Sequence, residues 1–485
     1  MMTPQLTIPI DNEAAMAAFG TQMAAILKVD DRIGLIGDLG AGKTTLARAI
    51  LRALATDPTL EVPSPTFTIV QSYDEGRIPV RHIDLYRVGE DAELIELGVG
   101  EPGAAELIEW PRADLPVTLS IAFGEGEDAR TITLQGNADL LNRLTRHQAM
   151  LRFLASAGWE GADLKPLHQD ASTRSYYRLR QNGSGSIVMD APAFTPPEGA
   201  YPRLARLADG NNTAFLAIAA LLRQRELSAP AILAAEPEDG FILLEDLGDD
   251  KIAEDGIAVE ERYLAAADAL AHFHSAPPPA TLLQPATLQQ PAHYVPPRFD
   301  AELGVLEVGL FPTWYLRGAV DETYTRLWHD VLSTLWRGDD HLALRDFHSP
   351  NCLWLPQRQG PARVGIIDFQ DAMVAPSSYD VVSLAQDARV PVPAGLEDAV
   401  IARYLAARPT LDVARWREGY AIMGAQRATR IAGVFRRLND RDGKPQYLQH
   451  VPRVVATLAK NLNATPMLEP LKDWFAQNTD VMVRP

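Results

Sequence analysis

The sequence predicts two units in tandem: an α/β unit over residues 1–138 and a larger α+β unit of two lobes over 139–248 and 249–485. Three observations predict this. Residues 37–45 read G-D-L-G-A-G-K-T-T, set between a short apolar run and an amphipathic stretch. Short apolar runs then alternate with turns as far as residue 135. Far downstream, Leu344–Asn351 reads L-R-D-F-H-S-P-N and Val364–Gln370 reads V-G-I-I-D-F-Q, an acidic loop followed by a second acid after a hairpin-like pattern.

Composition bounds the function. The 485 residues are 47% hydrophobic and 22% charged, enough apolar material for more than one core. No run approaches the roughly 18 uninterrupted apolar residues of a membrane span, so no membrane role is expected. Met1-Met2-Thr3-Pro4-Gln5 lacks the basic start and apolar core of a secretory signal. The single cysteine, Cys352, can form no internal disulfide and no cysteine metal site, which fits a cytoplasmic protein. A net charge of −18 argues against a broad electrostatic grip on nucleic acid. Service to RNA would run through partner proteins.

In the first unit, Arg32–Ile36 reads as a buried strand and Leu46–Leu54 as an amphipathic helix. Between them Gly37, Gly40 and Gly42 let backbone N–H groups close around phosphate oxygens, with Asp38, Ala41 and Thr45 completing the loop. Lys43 can reach the β/γ-phosphates and the Thr44 hydroxyl can ligate Mg²⁺, so the loop binds a nucleoside triphosphate. Strand-like runs follow at 68–71, 80–84, 105–109, 118–122 and 131–134. Three further segments fit the same site. Val62–Thr68 is a proline-stiffened loop with three hydroxyls, His82–Arg87 puts Asp84 at a strand end, and Glu106–Pro111 puts Glu109 at another. Thr44 with either Glu109 or Asp84 would suffice to hold Mg²⁺, which keeps several waters.

Together G-D-L-G-A-G-K-T-T, S-P-T-F-T, H-I-D-L-Y-R and I-E-W-P, in that order, resemble the TsaE family over residues 10–135. That is the small P-loop ATPase of bacterial threonylcarbamoyladenosine tRNA modification. The resemblance implies an α/β P-loop NTPase domain that uses ATP and Mg²⁺. It implies that Thr44 and Glu109 hold the metal, that Lys43 contacts phosphate, and that Asp84 and the S-P-T loop respond to nucleotide state, Asp84 and Glu109 being the catalytic acids. It also implies docking onto TsaD- and TsaB-like proteins, with no strong direct binding of tRNA.

The second unit opens with a helical pattern from Leu140 to Ala157, then a hairpin of 176–180 and 187–190 about a turn at 181–186. From Glu260 the periodicity is helical, broken by the proline-rich stretch 276–297. Phosphoryl transfer needs positioning and charge compensation more than covalent help. Asp346 can orient the acceptor hydroxyl and take its proton, while Asn351 and Asp368 can hold Mg²⁺. His272 and His274 read as plain helix residues.

These pieces resemble the aminoglycoside phosphotransferase/choline kinase superfamily over about 147–470, and within it the amino-sugar kinase (AmgK) branch. The carrying segments are 170–178, 188–192, Leu244–Gly248, Leu344–Asn351 and Arg441–Pro445. The resemblance implies a bilobal α+β kinase-like domain that phosphorylates the anomeric hydroxyl of N-acetylmuramate and N-acetylglucosamine. Ser172, Thr173 and Arg174 would cover the phosphates, and Glu245 to Leu247 would be the hinge that meets adenine. Two positions depart from the wider superfamily. The strand expected to carry a phosphate-binding lysine reads Ile187-Val188-Met189-Asp190, and Leu344 stands where a histidine is usual. Arg174 or Arg178 could supply the absent charge. Other readings make the second unit a pseudokinase, or a kinase of choline, fructosamine or an antibiotic, and the first an unrelated P-loop enzyme.

Overall fold

The apolar run Arg32–Ile36 becomes the central strand of a seven-stranded sheet. The computed structural model describes residues 5–88, 94, 96–112, 119–123, 130–167, 174–192, 212–283 and 293–481. Contacts divide the chain into two units, 1–160 and 161–485.

The first unit contains β1 (Gln5–Ile10), α1 (Glu13–Ile26), β2 (Arg32–Ile36), α2 (Lys43–Ala55), β3 (Val70–Tyr73), β4 (Val80–Asp84), β5 (Ala105–Glu109), β6 (Leu119–Phe123), β7 (Arg130–Gly136) and α3 (Ala138–Ser156). The strand order is β1-β7-β6-β2-β5-β4-β3. β2 runs parallel to β5 and β6, and β4 runs parallel to β5. A parallel strand is covered on both faces, which is why β5 is buried at all five positions despite its two glutamates. The register sets Asp84 beside Glu109, at the same end of the sheet as the phosphate loop that follows β2.

Two elements of this unit were not foreseen, β1 and α1. β1 is a short edge strand, and α1 is alanine-rich with little apolar periodicity. α1 is started by Asn12, whose side chain accepts the Ala15 N–H, and it packs on α2 at Gly20. A Cβ on Gly20 would stand 2.4 Å from the Ala49 Cβ, so only glycine permits this approach.

The expected break at 138/139 differs from the observed division. α3 starts there, but it belongs to the first unit. Its Leu140, Leu141 and Leu144 join that core, and Arg143 binds both oxygens of Asp31, at 3.0 and 2.9 Å. A helix read by periodicity alone reveals an apolar face, not the core that receives it.

The second unit begins with an antiparallel five-stranded sheet: β8 (Asp163–Pro166), β9 (Ser175–Gln181), β10 (Ser184–Asp190), β11 (Ile232–Glu236) and β12 (Phe241–Glu245), in the order β11-β12-β10-β9-β8. The β9–β10 turn is tighter than expected. Asn182 and Gly183 alone make it, with φ of 51° and 79°, as a two-residue hairpin needs. α4 (Thr213–Gln224) shares a core with Met189, Ile242 and Leu244 of that sheet.

The helical part holds α5 (Glu260–Phe273), α6 (Ala301–Val308), α7 (Glu322–Ser333), α8 (Ser378–Ala385), α9 (Ala394–Ala406), α10 (Val413–Asp440), α11 (Val451–Leu462) and α12 (Glu469–Asn478). Between α7 and α8 lie β13 (Asp340–Ala343), β14 (Cys352–Trp354), β15 (Val364–Ile366) and β16 (Met373–Pro376). β13 pairs with β16 and β14 with β15, both antiparallel. This nesting sets loop 344–351 beside loop 367–372, the two motif loops of the sequence.

α10 passes close to the chain at Leu310 through Gly433, where a Cβ would lie 2.4 Å from the Leu310 carbonyl carbon. Backbone cannot yield as a flexible side-chain end can. Gly433→Ala is therefore expected to cost about 1–3 kcal/mol and to lower the thermal midpoint of the second unit, followed by calorimetry.

Candidate active sites

In the first unit, the loop after β2 ends at Gly42, whose φ of 110° suits glycine, and α2 begins at Lys43. Gly40 (φ 78°) has open space where a Cβ would stand. The Lys43 ammonium donates to the Gly37 and Asp38 carbonyl oxygens at 2.7 and 2.8 Å. It also lies 3.7 Å from the Trp110 ring centroid. Burial lowers its pKa, against the opposing pull of Glu109, Asp84 and Asp38. Trp110 is held at φ 56°, a left-handed conformation uncommon for a bulky residue, and this turn directly follows Glu109.

The Thr44 hydroxyl donates to Glu109, 2.7 Å from Oε1 and 3.0 Å from Oε2. His82 Nε2 stands 3.0 Å from the same Oε1. A hydroxyl and a carboxylate already in contact are the oxygen donors that Mg²⁺ takes. Asp84 sits one strand over, with its Oδ2 accepting from Ser64 at 3.3 Å and its Oδ1 from the Tyr86 N–H. Ser64 in turn meets the Thr66 hydroxyl at 2.9 Å. The structure thus brings Lys43, Thr44, Asp84, Glu109 and the S-P-T loop together. His82 and Trp110 complete the cluster; neither was given a role from the sequence, although Trp110 directly follows Glu109 and His82 lies two residues before Asp84.

In the second unit, Asp346 lies in the loop between β13 and β14. Asp380 of α8 fixes that loop: its carboxylate accepts the Leu344 N–H at 2.7 Å and the Arg345 N–H at 2.8 Å. The Ser383 hydroxyl donates to the Arg345 carbonyl at 2.8 Å. Arg345 itself is left-handed (φ 70°), and its guanidinium pairs with the fully buried Glu307 of α6. Burial alone would raise the Asp346 pKa, but Arg430, Arg345 and Arg427 outweigh it and hold the carboxyl well below the usual range.

Asn351 donates from Nδ2 to the Asp346 carbonyl at 3.0 Å, and the same nitrogen lies 3.4 Å from Asp368 Oδ2. The Asn351 Oδ1 and the Asp368 carboxylate are the oxygen donors of these two loops, the kind a hard divalent cation takes. Asp368 is left-handed too (φ 58°) and takes a hydrogen bond from Gln370 at 2.8 Å.

The hinge residues divide by role. The Glu245 side chain binds Arg358 and the Ala231 N–H, and its own N–H goes to the Ala231 carbonyl. The Leu247 backbone has no hydrogen-bond partner among the described residues. Of the two arginines weighed as replacements for the absent lysine, Arg178 is engaged by acids. It is tied to Asp246 at 2.9 Å and Asp249 at 2.6 Å. Met189 is fully buried in the core under the sheet. Arg174 acts electrostatically on Asp371, within the loop 367–372. Ser172 and Thr173 lie outside the described residues.

His272 is bound to the Arg225 carbonyl, a structural role. His274 is more than a plain helix residue. It is fully buried, bonds to the Tyr404 hydroxyl at 2.9 Å and stands 3.4 Å from Asp380. Asp380, Glu307, Arg427 and Arg430 escaped the sequence reading. They sit on helices remote in sequence, where an acid or arginine looks like a solvated charge.

Comparison with known proteins gives two families. The model of "Threonylcarbamoyl adenosine biosynthesis protein TsaE" matches residues 10–136, and that of the "Phosphotransferase enzyme family" matches residues 163–418. An N-acetylmuramate/N-acetylglucosamine kinase of Caulobacter vibrioides is 37% identical, over 70% of this chain and 98% of its own. A protein of the same description from Pseudomonas putida is 30% identical, over 64% and 86%. A tRNA threonylcarbamoyladenosine biosynthesis protein TsaE of Bacillus subtilis is 35% identical, over 28% of this chain and 91% of its own.

The buried histidines predict an acid-labile second unit. His274, His348 and His450 are all lowered by burial, His348 to about 4. The unfolded chain then binds more protons below the ordinary histidine value of about 6.5, so stability present above it is lost as pH falls toward about 4. Asp371, raised by burial to about 6 with its side chain 33% exposed, and Asp340, also raised by burial, oppose this. The thermal midpoint of the second unit should fall between pH 7 and pH 5; a flat or rising midpoint would contradict the assignment.

Proposed function

The chain belongs to the TsaE family through its first unit and to the phosphotransferase enzyme family through its second, and on that premise we propose that it is bifunctional. The first unit serves as the ATPase subunit of threonylcarbamoyladenosine formation on tRNA, and the second as an ATP-dependent kinase of the anomeric hydroxyl of N-acetylmuramate and N-acetylglucosamine. The observation that carries the reading is that each site gathers its candidate polar groups: Lys43, Thr44 and Glu109 in one, Asp346, Asn351 and Asp368 in the other.

In the first site, Lys43 and the loop N–H groups receive the phosphates. Thr44 and Glu109 hold Mg²⁺, which compensates phosphate charge when bound. Asp84, tied to Ser64, couples the S-P-T loop to the nucleotide end of the sheet. Partners are TsaD- and TsaB-like proteins, and the net charge of −18 leaves little drive for binding tRNA directly.

In the second site, Leu247 offers its backbone to adenine, and Ser172, Thr173 and Arg174 cover the phosphates. Asn351 and Asp368 hold Mg²⁺. Asp346 hydrogen-bonds the sugar hydroxyl and takes its proton as the phosphoryl group arrives. An anomeric hydroxyl suits this acid, because the ring oxygen makes that hydroxyl more acidic than an ordinary alcohol. The two activities belong in the cytoplasm, the second in recycling of cell-wall sugars. The lobes of this unit meet after the hinge, at 248/249.

For the first unit, Lys43→Ala or Thr44→Ala is expected to abolish ATP hydrolysis and modified-nucleoside formation by the full chain with its partner complex. Normal tRNA modification by either variant would empty the P-loop assignment. For the second, Asp346→Asn should lower sugar phosphorylation by about 10²–10⁴-fold with ATP binding retained. Asp368→Asn should weaken Mg²⁺–ATP binding as well as turnover. Steady-state kinetics and calorimetric titration, both in a Lys43→Ala background that silences the first site, separate the two. A Lys43→Ala chain that binds ATP yet phosphorylates no amino sugar would make the second unit a pseudokinase or a kinase of another small alcohol.

A further inference from the structure

Leu344 is 2% exposed and stands where the wider superfamily supports the catalytic acid with a histidine. Support for Asp346 arrives instead from α10. Arg427 and Arg430, one helical turn apart, place their Nη2 atoms 3.7 and 3.6 Å from a single oxygen, Asp346 Oδ1. Both guanidiniums are buried and gripped from behind. Arg427 Nε donates to the Ser383 hydroxyl at 2.8 Å, the same hydroxyl that donates to the Arg345 carbonyl. Arg430 Nη1 lies 3.4 Å from Glu307 Oε1, and Gln426 donates to the other oxygen of Glu307 at 2.8 Å. Asp346 Oδ2 accepts no hydrogen bond among the described residues, and the side chain keeps 29% exposure.

We infer that Arg427 and Arg430 are positioning residues that clamp Asp346 through Oδ1, so that Oδ2 is the oxygen presented to the acceptor hydroxyl. The inference rests on the kinase reading of this unit. Two planar guanidiniums on one oxygen fix the plane of a carboxylate that would otherwise turn about its side-chain bonds. The surrounding contacts leave each guanidinium little freedom to move toward a ligand. Their action therefore passes through Asp346. The same clamp explains how an aspartate without the usual histidine stays oriented beside a strained, left-handed Arg345.

The test is a mutational cycle on the full chain, read by sugar phosphorylation. Arg427→Met and Arg430→Met should each lower kcat by about 10²-fold, the scale of a misplaced catalytic group, with the KM for ATP and for the sugar nearly unchanged. Arg430→Lys, which keeps the charge, should recover part of the loss. In an Asp346→Asn background neither arginine substitution should cost anything further. An equal loss in that background, or raised KM with kcat retained, would overturn the clamp. If Arg430→Met fails to fold because Glu307 loses a partner, Arg427→Met carries the same reading, since Glu307 then keeps Arg345 and Arg430. Should the wild-type chain phosphorylate no amino sugar, the proposed function fails. Crystal structures of wild type and Arg427→Met then decide the clamp alone, and a carboxylate that has not turned refutes it.

Discussion

One buried carboxylate organises the second unit. Asp380 is fully buried, and both its oxygens are spent on backbone N–H groups of the loop that carries Asp346. A buried charge is costly unless it is fully hydrogen-bonded, so the loop has one arrangement that satisfies it. That arrangement requires Arg345 to adopt a left-handed backbone, and Glu307 and Ser383 hold the residue there. Asp346, Asn351 and the facing Asp368 follow from this placement. The nested ladders β13/β16 and β14/β15 bring the loops together, and α8 sets the geometry within them.

The first unit solves a similar problem by sheet register. Its acids lie at the ends of adjacent parallel strands, where register alone sets Asp84 beside Glu109. The Thr44 hydroxyl and His82 then orient Glu109, and the strained turn at Trp110 brings an aromatic ring against the Lys43 ammonium. In both sites the groups proposed to hold Mg²⁺ are a short polar side chain and a carboxylate. Such a pair would leave most of the coordination to phosphate oxygens and water, as Mg²⁺ prefers.

The sequence was most legible where chemistry is local. The phosphate loop, the strands Val80–Asp84 and Ala105–Glu109, and the two acidic motifs stand where spacing put them. Legibility failed where tertiary contact decides. α3 packs on α1, a helix with too little apolar periodicity to read, so the unit that receives α3 is not legible in the sequence. That Arg178 is paired with Asp246 and Asp249 is visible only in the fold. Arg427 and Arg430 carry no local mark: on a 28-residue helix an arginine is usually a solvated charge, and only the fold reveals that these two are buried against Asp346.

The most direct measurement of the central claim is phosphorus NMR of the product formed by the full chain from ATP, Mg²⁺ and N-acetylmuramate. The account predicts a sugar phosphate whose phosphorus couples to the anomeric proton, placing the new bond at C1. A phosphate on any other carbon, or inorganic phosphate alone, would contradict it.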